Sequence, residues 1–146
     1  MILNLTQKDN ITLDTILNDT KEEFEIIRQK FFLIIQKLTI SIIKELNLLE
    51  EFKEDQINRI YWRQFTPTYN DGDPCTFRIA NFSYICDSGE DGYLEDIEDN
   101  VAYENIDKII KFFKNNKNLF LLFGQNVEVF IHKNGEITIE DYEPEY

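Results

Sequence analysis

The sequence predicts an α+β domain: a mainly antiparallel sheet built from two strand pairs, packed against one long N-terminal helix and a second, shorter helix. Three observations predict it. Apolar residues recur at three- and four-residue spacing over 20–52, β-branched and aromatic residues crowd 57–66 and 75–85, and Asn134-Gly135 separates two alternating runs near the C-terminus. Helix, strand pair, helix, strand pair is the order of an α+β fold with the long helix on one face of the sheet.

Residues 2–18 give a short strand or coil with at most one helical turn. Thr20 and Glu23 form a capping box, and behind it Phe24, Ile27, Phe31, Ile34, Ile35, Leu38, Ile42, Leu46 and Leu49 make the stripe of an amphipathic helix over 20–52. Ile26, Leu33, Ile40 and Ile43 broaden that stripe, so the helix is expected to be covered on more than one side. The segments INRIYWRQFT and CTFRIANFSYI then read as two strands, an antiparallel pair separated by the Pro-, Asn-, Asp- and Gly-bearing segment 67–74. An acidic loop, DSGEDGYLEDIEDN, leads to the second helix over 102–115, whose buried stripe is Ile106, Ile109, Ile110 and Phe113. The chain closes on VEVFIHKNGEITIEDY, an alternating hairpin turned at Asn134-Gly135.

The 146 residues fit one domain spanning 1–146, a length that buries roughly two thirds of its unfolded surface. The net charge of −13 is unevenly spread: residues 1–66 carry 11 acids and 9 bases, residues 67–146 carry 17 and 6. Such a field repels phosphates and anionic lipid, which disfavours direct nucleic-acid or membrane binding and favours basic protein surfaces, including those of nucleic-acid-binding or toxin proteins. MILNLTQKDN lacks the basic start and apolar core of a secretory signal, and Cys75 and Cys86 read as reduced, buried thiols, so a cytoplasmic protein is expected. Abundant Ile, Asn and Lys with scarce Ala suggest an AT-rich genome, as in a low-GC bacterium, its phages or its plasmids.

The stretch YWRQFTPTYNDGDPCTF concentrates the local signals. Pro67 pushes Thr66 toward extended geometry, and Asn70-Asp71-Gly72 permits a sharp reversal that sets Asp71 and Asp73 two residues apart. The pair reads either as caps for backbone N–H groups or as ligands for Mg²⁺ or Ca²⁺, the latter implying a metal-dependent phosphodiesterase or nucleotide-binding enzyme. Trp62, Gln64, Phe65, Thr66, Pro67, Tyr69, Asn70, Asp71, Gly72, Asp73, Cys75 and Phe77 form a W-x-Q-[YF]-T-P-x-Y-N-D-G-D-x-C-x-F pattern that resembles a family of small phage and bacterial proteins of no known activity. Phe123, Gly124, Val127, Val129, Gly135, Ile137 and the tail EDYEPEY resemble that family's closing hairpin. The resemblance covers about the C-terminal 90 residues, with Phe65 and Thr68 as mild departures and the long helix outside it. It implies no activity.

Residues 87–98 match a calcium loop at Asp87, Asp91, Gly92, Leu94 and Glu98, but Gly89 leaves the third position without a ligand and a strand precedes the loop. His132, the only histidine, has no sequence tie to either cysteine and reads as a surface or edge-strand residue. No glycine loop for phosphates, paired Cys-x-x-Cys or basic patch interleaved with aromatics is present, and nothing calls for a cofactor.

The leading functional expectation is therefore a small acidic, non-enzymatic binding protein, such as an inhibitor, immunity or anti-defence protein. It would occlude a basic surface through Glu90, Asp91, Glu95, Asp96, Glu98 and Asp99, helped by the acids of 136–145. The rivals are the Asp71/Asp73 enzyme and a structural or assembly subunit joined through the long helix. Oligomeric state stays open.

Overall fold

The computed structural model describes residues 7–67, 72, 75–97, 100–115 and 118–143, and the chain packs as two units, 1–34 and 35–146. The element order is α1 Gln7–Leu46, a 3₁₀ turn Glu50–Phe52, β1 Ile57–Phe65, β2 Arg78–Cys86, β3 Asp91–Tyr93, a 3₁₀ turn Leu94–Asp96, α2 Asn100–Lys114, α3 Asn118–Phe123, β4 Val127–His132 and β5 Ile137–Asp141. The five strands form one sheet in the order β3-β2-β1-β4-β5, with every neighbouring pair antiparallel. The α+β class holds, and the two expected strand pairs are joined into one sheet by the β1–β4 pairing.

The first unit, 1–34, holds the N-terminal part of α1. The helix begins well before Thr20, whose hydroxyl donates to the Ile16 carbonyl at 2.8 Å rather than capping a helix start. A threonine hydroxyl serves either end of that choice, and here the preceding residues are already helical. Of the periodic residues of this unit Phe31 is half-buried, but Phe24 at 68%, Ile27 at 60% and Ile34 at 48% are exposed, which overturns the expectation that the helix is covered on more than one side here.

In the second unit, α1 buries Ile35, Thr39, Ile42, Ile43 and Leu46 and stops at Leu46, short of the expected 52. Asn47 explains the stop. Its carboxamide accepts from the Ile57 amide at 2.7 Å and donates to the Ile57 carbonyl at 3.1 Å, turning the chain into β1. The Gln36 side chain donates to the carbonyl of Gly135, which takes φ 92° in the β4–β5 turn. A side chain at Gly135 would begin 3.1 Å from the Gln36 amide nitrogen, so the glycine serves both the turn and this contact.

One sheet face meets the helices. Trp62 is fully buried, with ring centroids of Phe113 from α2 and Phe123 from α3 at 5.2 and 6.1 Å. Ile106, Ile110 and Phe113 are buried on α2 as their spacing predicts, while Ile109 is only half-buried at the edge of that stripe; Leu119 and Phe123 are buried on α3, an element with too few residues to announce itself. Opposite Trp62, β2 spends two residues between Ala80 and Ser83, and Asn81 adopts φ 61° there. That bulge keeps Phe82 on the core face, 5.9 Å from the Trp62 ring.

Candidate functional site

Strand alternation puts Ile60, Trp62 and Gln64 into the core, so Arg59, Tyr61, Arg63 and Phe65 emerge together on the other face. The register then fixes their neighbours. Tyr93, Ser83, Tyr61, Phe130 and Thr138 stand directly opposite one another from β3 to β5, one row crossing the whole sheet. Tyr61 stacks on Phe130 at 5.0 Å with 26° between the rings.

Charges flank that row. The Arg59 guanidinium lies 5.6 Å from the Phe130 ring centre and that of Arg63 lies 4.8 Å from Tyr142. Arg63 Nε is 3.5 Å from Glu128 Oε2, yet among the described residues neither arginine's buried Nε has a hydrogen-bond acceptor. Arg59, Tyr61, Ile85, Phe130, Thr138, Glu128 and Glu140 enclose an open depression of about 280 Å³. Sequence reading finds no basic patch interleaved with aromatics; the signal was the period-two alternation of 59–65, and the rings that complete it lie on strands far away in the chain.

At the β3 edge Tyr93 is 53% exposed. It lines two depressions at once, one of about 120 Å³ with Tyr61, Ser83, Asp91 and Gly92, and one of about 350 Å³ with Ala80, Asn81, Phe82, Glu95, Asp96 and Lys114. Gly92 makes this edge possible, since a Cβ there would fall 2.7 Å from Tyr84 Cζ.

Of the acids expected to bind a partner, Asp91, Glu95 and Asp96 line these depressions with that ring. Glu90, Asp91, Glu95 and Asp96 are all exposed, and Glu95 alone of the four has an ion-pair partner among the described residues, Lys114 at 3.8 Å. Glu98 and Asp99 lie outside the described residues, as do Asn70, Asp71 and Asp73; Gly72 is exposed with φ 85°, while Trp62 and Pro67 are buried. Among the described residues no group of three His, Cys, Asp or Glu is placed to hold a metal ion.

The stretch read against a calcium loop is mostly hairpin. Asp55, invisible to local sequence reading, accepts from the Ser88 amide at 3.0 Å and from its hydroxyl, and Asp87 accepts from Asn58 at 3.1 Å with Lys133 at 3.6 Å. Both cysteines are free thiols, but only Cys86 is buried as expected; Cys75, in the irregular segment before β2, is exposed. Burial, then the nearby Asp55, Glu90 and Asp87, pushes the Cys86 thiol up to about 11. His132 is half-buried opposite Arg59, with Nε2 at 3.3 Å from Thr138 Oγ1.

No family model, curated protein or solved structure matches this chain. Among the described residues no helix is long and apolar enough to cross a membrane.

Proposed function

We propose that this chain is a non-enzymatic binding protein that occupies a basic surface of another protein, in the manner of an inhibitor, immunity or anti-defence protein. The observation that carries the reading is Tyr93, an exposed ring on the sheet edge framed by the exposed carboxylates of Asp91, Glu95 and Asp96. An aromatic anchor contributes contact area at low entropic cost, and its ring face attracts Lys or Arg side chains. The surrounding acids steer such a partner in and reject acidic competitors. The aromatic row from Tyr93 to Phe130 extends the same surface across the sheet. Arg59 and Arg63, laid over Phe130 and Tyr142, hold those rings in place.

Capture from a lysate of the source organism, followed by affinity measurement with the purified partner, tests the proposal. Tyr93→Ala is expected to weaken binding at least tenfold, the range of an interface hot spot, with the fold intact. Reversal of Asp91, Glu95 and Asp96 to lysine is expected to weaken it further. A partner whose surface is acidic, or whose binding ignores both variants, would remove the proposal.

A further inference from the structure

From Leu13 the first unit carries a second pattern. Leu13, Leu17, Thr20, Phe24, Ile27, Phe31 and Ile34 follow one another in alternating steps of four and three residues, a strict 3.5-residue repeat in which Thr20 alone is not apolar. A helix packed on its own globular core drifts with the 3.6-residue turn, whereas a 3.5-residue repeat kept over three heptads is the mark of a helix wound around another helix. Five of its apolar side chains are exposed: Leu13 at 40%, Leu17 at 53%, Phe24 at 68%, Ile27 at 60% and Ile34 at 48%.

We infer that this seam takes a second copy of the chain, parallel and in register. With Leu17, Phe24 and Phe31 at the first core position of each heptad and Leu13, Thr20, Ile27 and Ile34 at the second, the flanking positions follow from the sequence. Glu23 faces the partner's Arg28, and by symmetry the reverse pair also forms. The other facing pair of the seam, Ile16 with the partner's Lys21, places no like charges together, and the seam ends at Ile34 because Ile35 is buried in the core of the second unit. Within one chain Arg28 sits 3.8 Å from Glu25, an exposed contact that it can share with a second carboxylate. The charge pattern thus selects the chain itself as occupant, and the seam shares no residue with the acidic sheet edge.

Sedimentation equilibrium on the full chain tests the inference. The expected mass is at least twice 17.5 kDa and is insensitive to salt, and Phe24→Glu with Ile27→Glu returns it to 17.5 kDa. Fluorescence of Trp62, the only tryptophan, reports that the second unit keeps its fold in that variant. Orientation is read by Leu17→Cys in a Cys75→Ser background: the parallel arrangement gives an oxidised covalent dimer in high yield. A wild-type mass of 17.5 kDa at concentrations of about 100 μM, where even weak coiled coils associate, overturns the inference. So does an assembly unaffected by the two glutamates, and failure of the cysteine pair to cross-link overturns the parallel register.

Discussion

The indole N–H of Trp62 donates to the side-chain oxygen of Gln64 at 3.0 Å, and the Gln64 amide donates in turn to the carbonyls of Leu119 and Gly124 at 2.9 and 2.6 Å. Both side chains are fully buried. Two residues apart on β1, they share the core face, so the glutamine supplies the partner that a buried indole needs and ties the strand to α3 and to the turn behind it. The W-x-Q spacing is thereby accounted for as a structural device.

Gln64→Leu is therefore expected to cost about 2–4 kcal/mol, because it keeps the volume and leaves the indole and two carbonyls without their partner. Urea unfolding followed by Trp62 fluorescence measures it. A loss below about 0.5 kcal/mol, the range of an ordinary surface change, would mean that the network contributes little.

Gly92→Ala is expected to destabilise by about 1–3 kcal/mol, since its Cβ would overlap the Tyr84 ring. Combining it with Tyr84→Ala opens the space, so the double variant should lose less than the sum of the two single losses. Simple additivity in that double-mutant cycle would contradict the contact.

Alkaline stability should fall between about pH 9 and 11. The Cys86 thiol, pushed up to about 11 from an ordinary value of 9.0, keeps its proton in the folded chain while the unfolded chain releases it, so rising pH favours unfolding. Tyr84, raised by burial first and by the charges of Cys86 and nearby carboxylates next, acts with the same sign. Cys86→Ala should flatten the slope in this window; an unchanged slope would assign it elsewhere. In the folded protein a thiol reagent should label exposed Cys75 and spare Cys86.

The sequence announces the sheet where signals are local. The alternation of 57–65 and the Asn134-Gly135 turn name β1 and the last hairpin, because each side chain's face is decided by its immediate neighbours. β3 escapes notice, since three residues hold no period and the strand exists only through pairing with β2. Thr20 and Glu23 mislead because a capping pair reads the same inside a longer helix. The acidic run of the site was legible as charge, but Tyr93 as its anchor depends on Gly92 passing close to Tyr84, and Asp55 organises the turn from 33 residues away.

On the proposed docking surface, Tyr93 and its acids are expected to control different steps of binding. Removing the ring should speed dissociation, because packed contact is lost after docking, while reversing the acids should slow association. Tyr93→Phe, which keeps the ring, should retain most of the affinity. Equal losses from Tyr93→Phe and Tyr93→Ala would place the effect on the hydroxyl.

The most direct test of an acidic docking surface is the association rate constant with the purified partner, measured by stopped flow across a range of salt for the wild type and for the Asp91→Lys, Glu95→Lys, Asp96→Lys triple variant. The account predicts a wild-type rate that falls steeply as salt rises, and a variant that is slow at low salt and nearly flat, with dissociation changed far less. Rates that are the same in both proteins and indifferent to salt would contradict it.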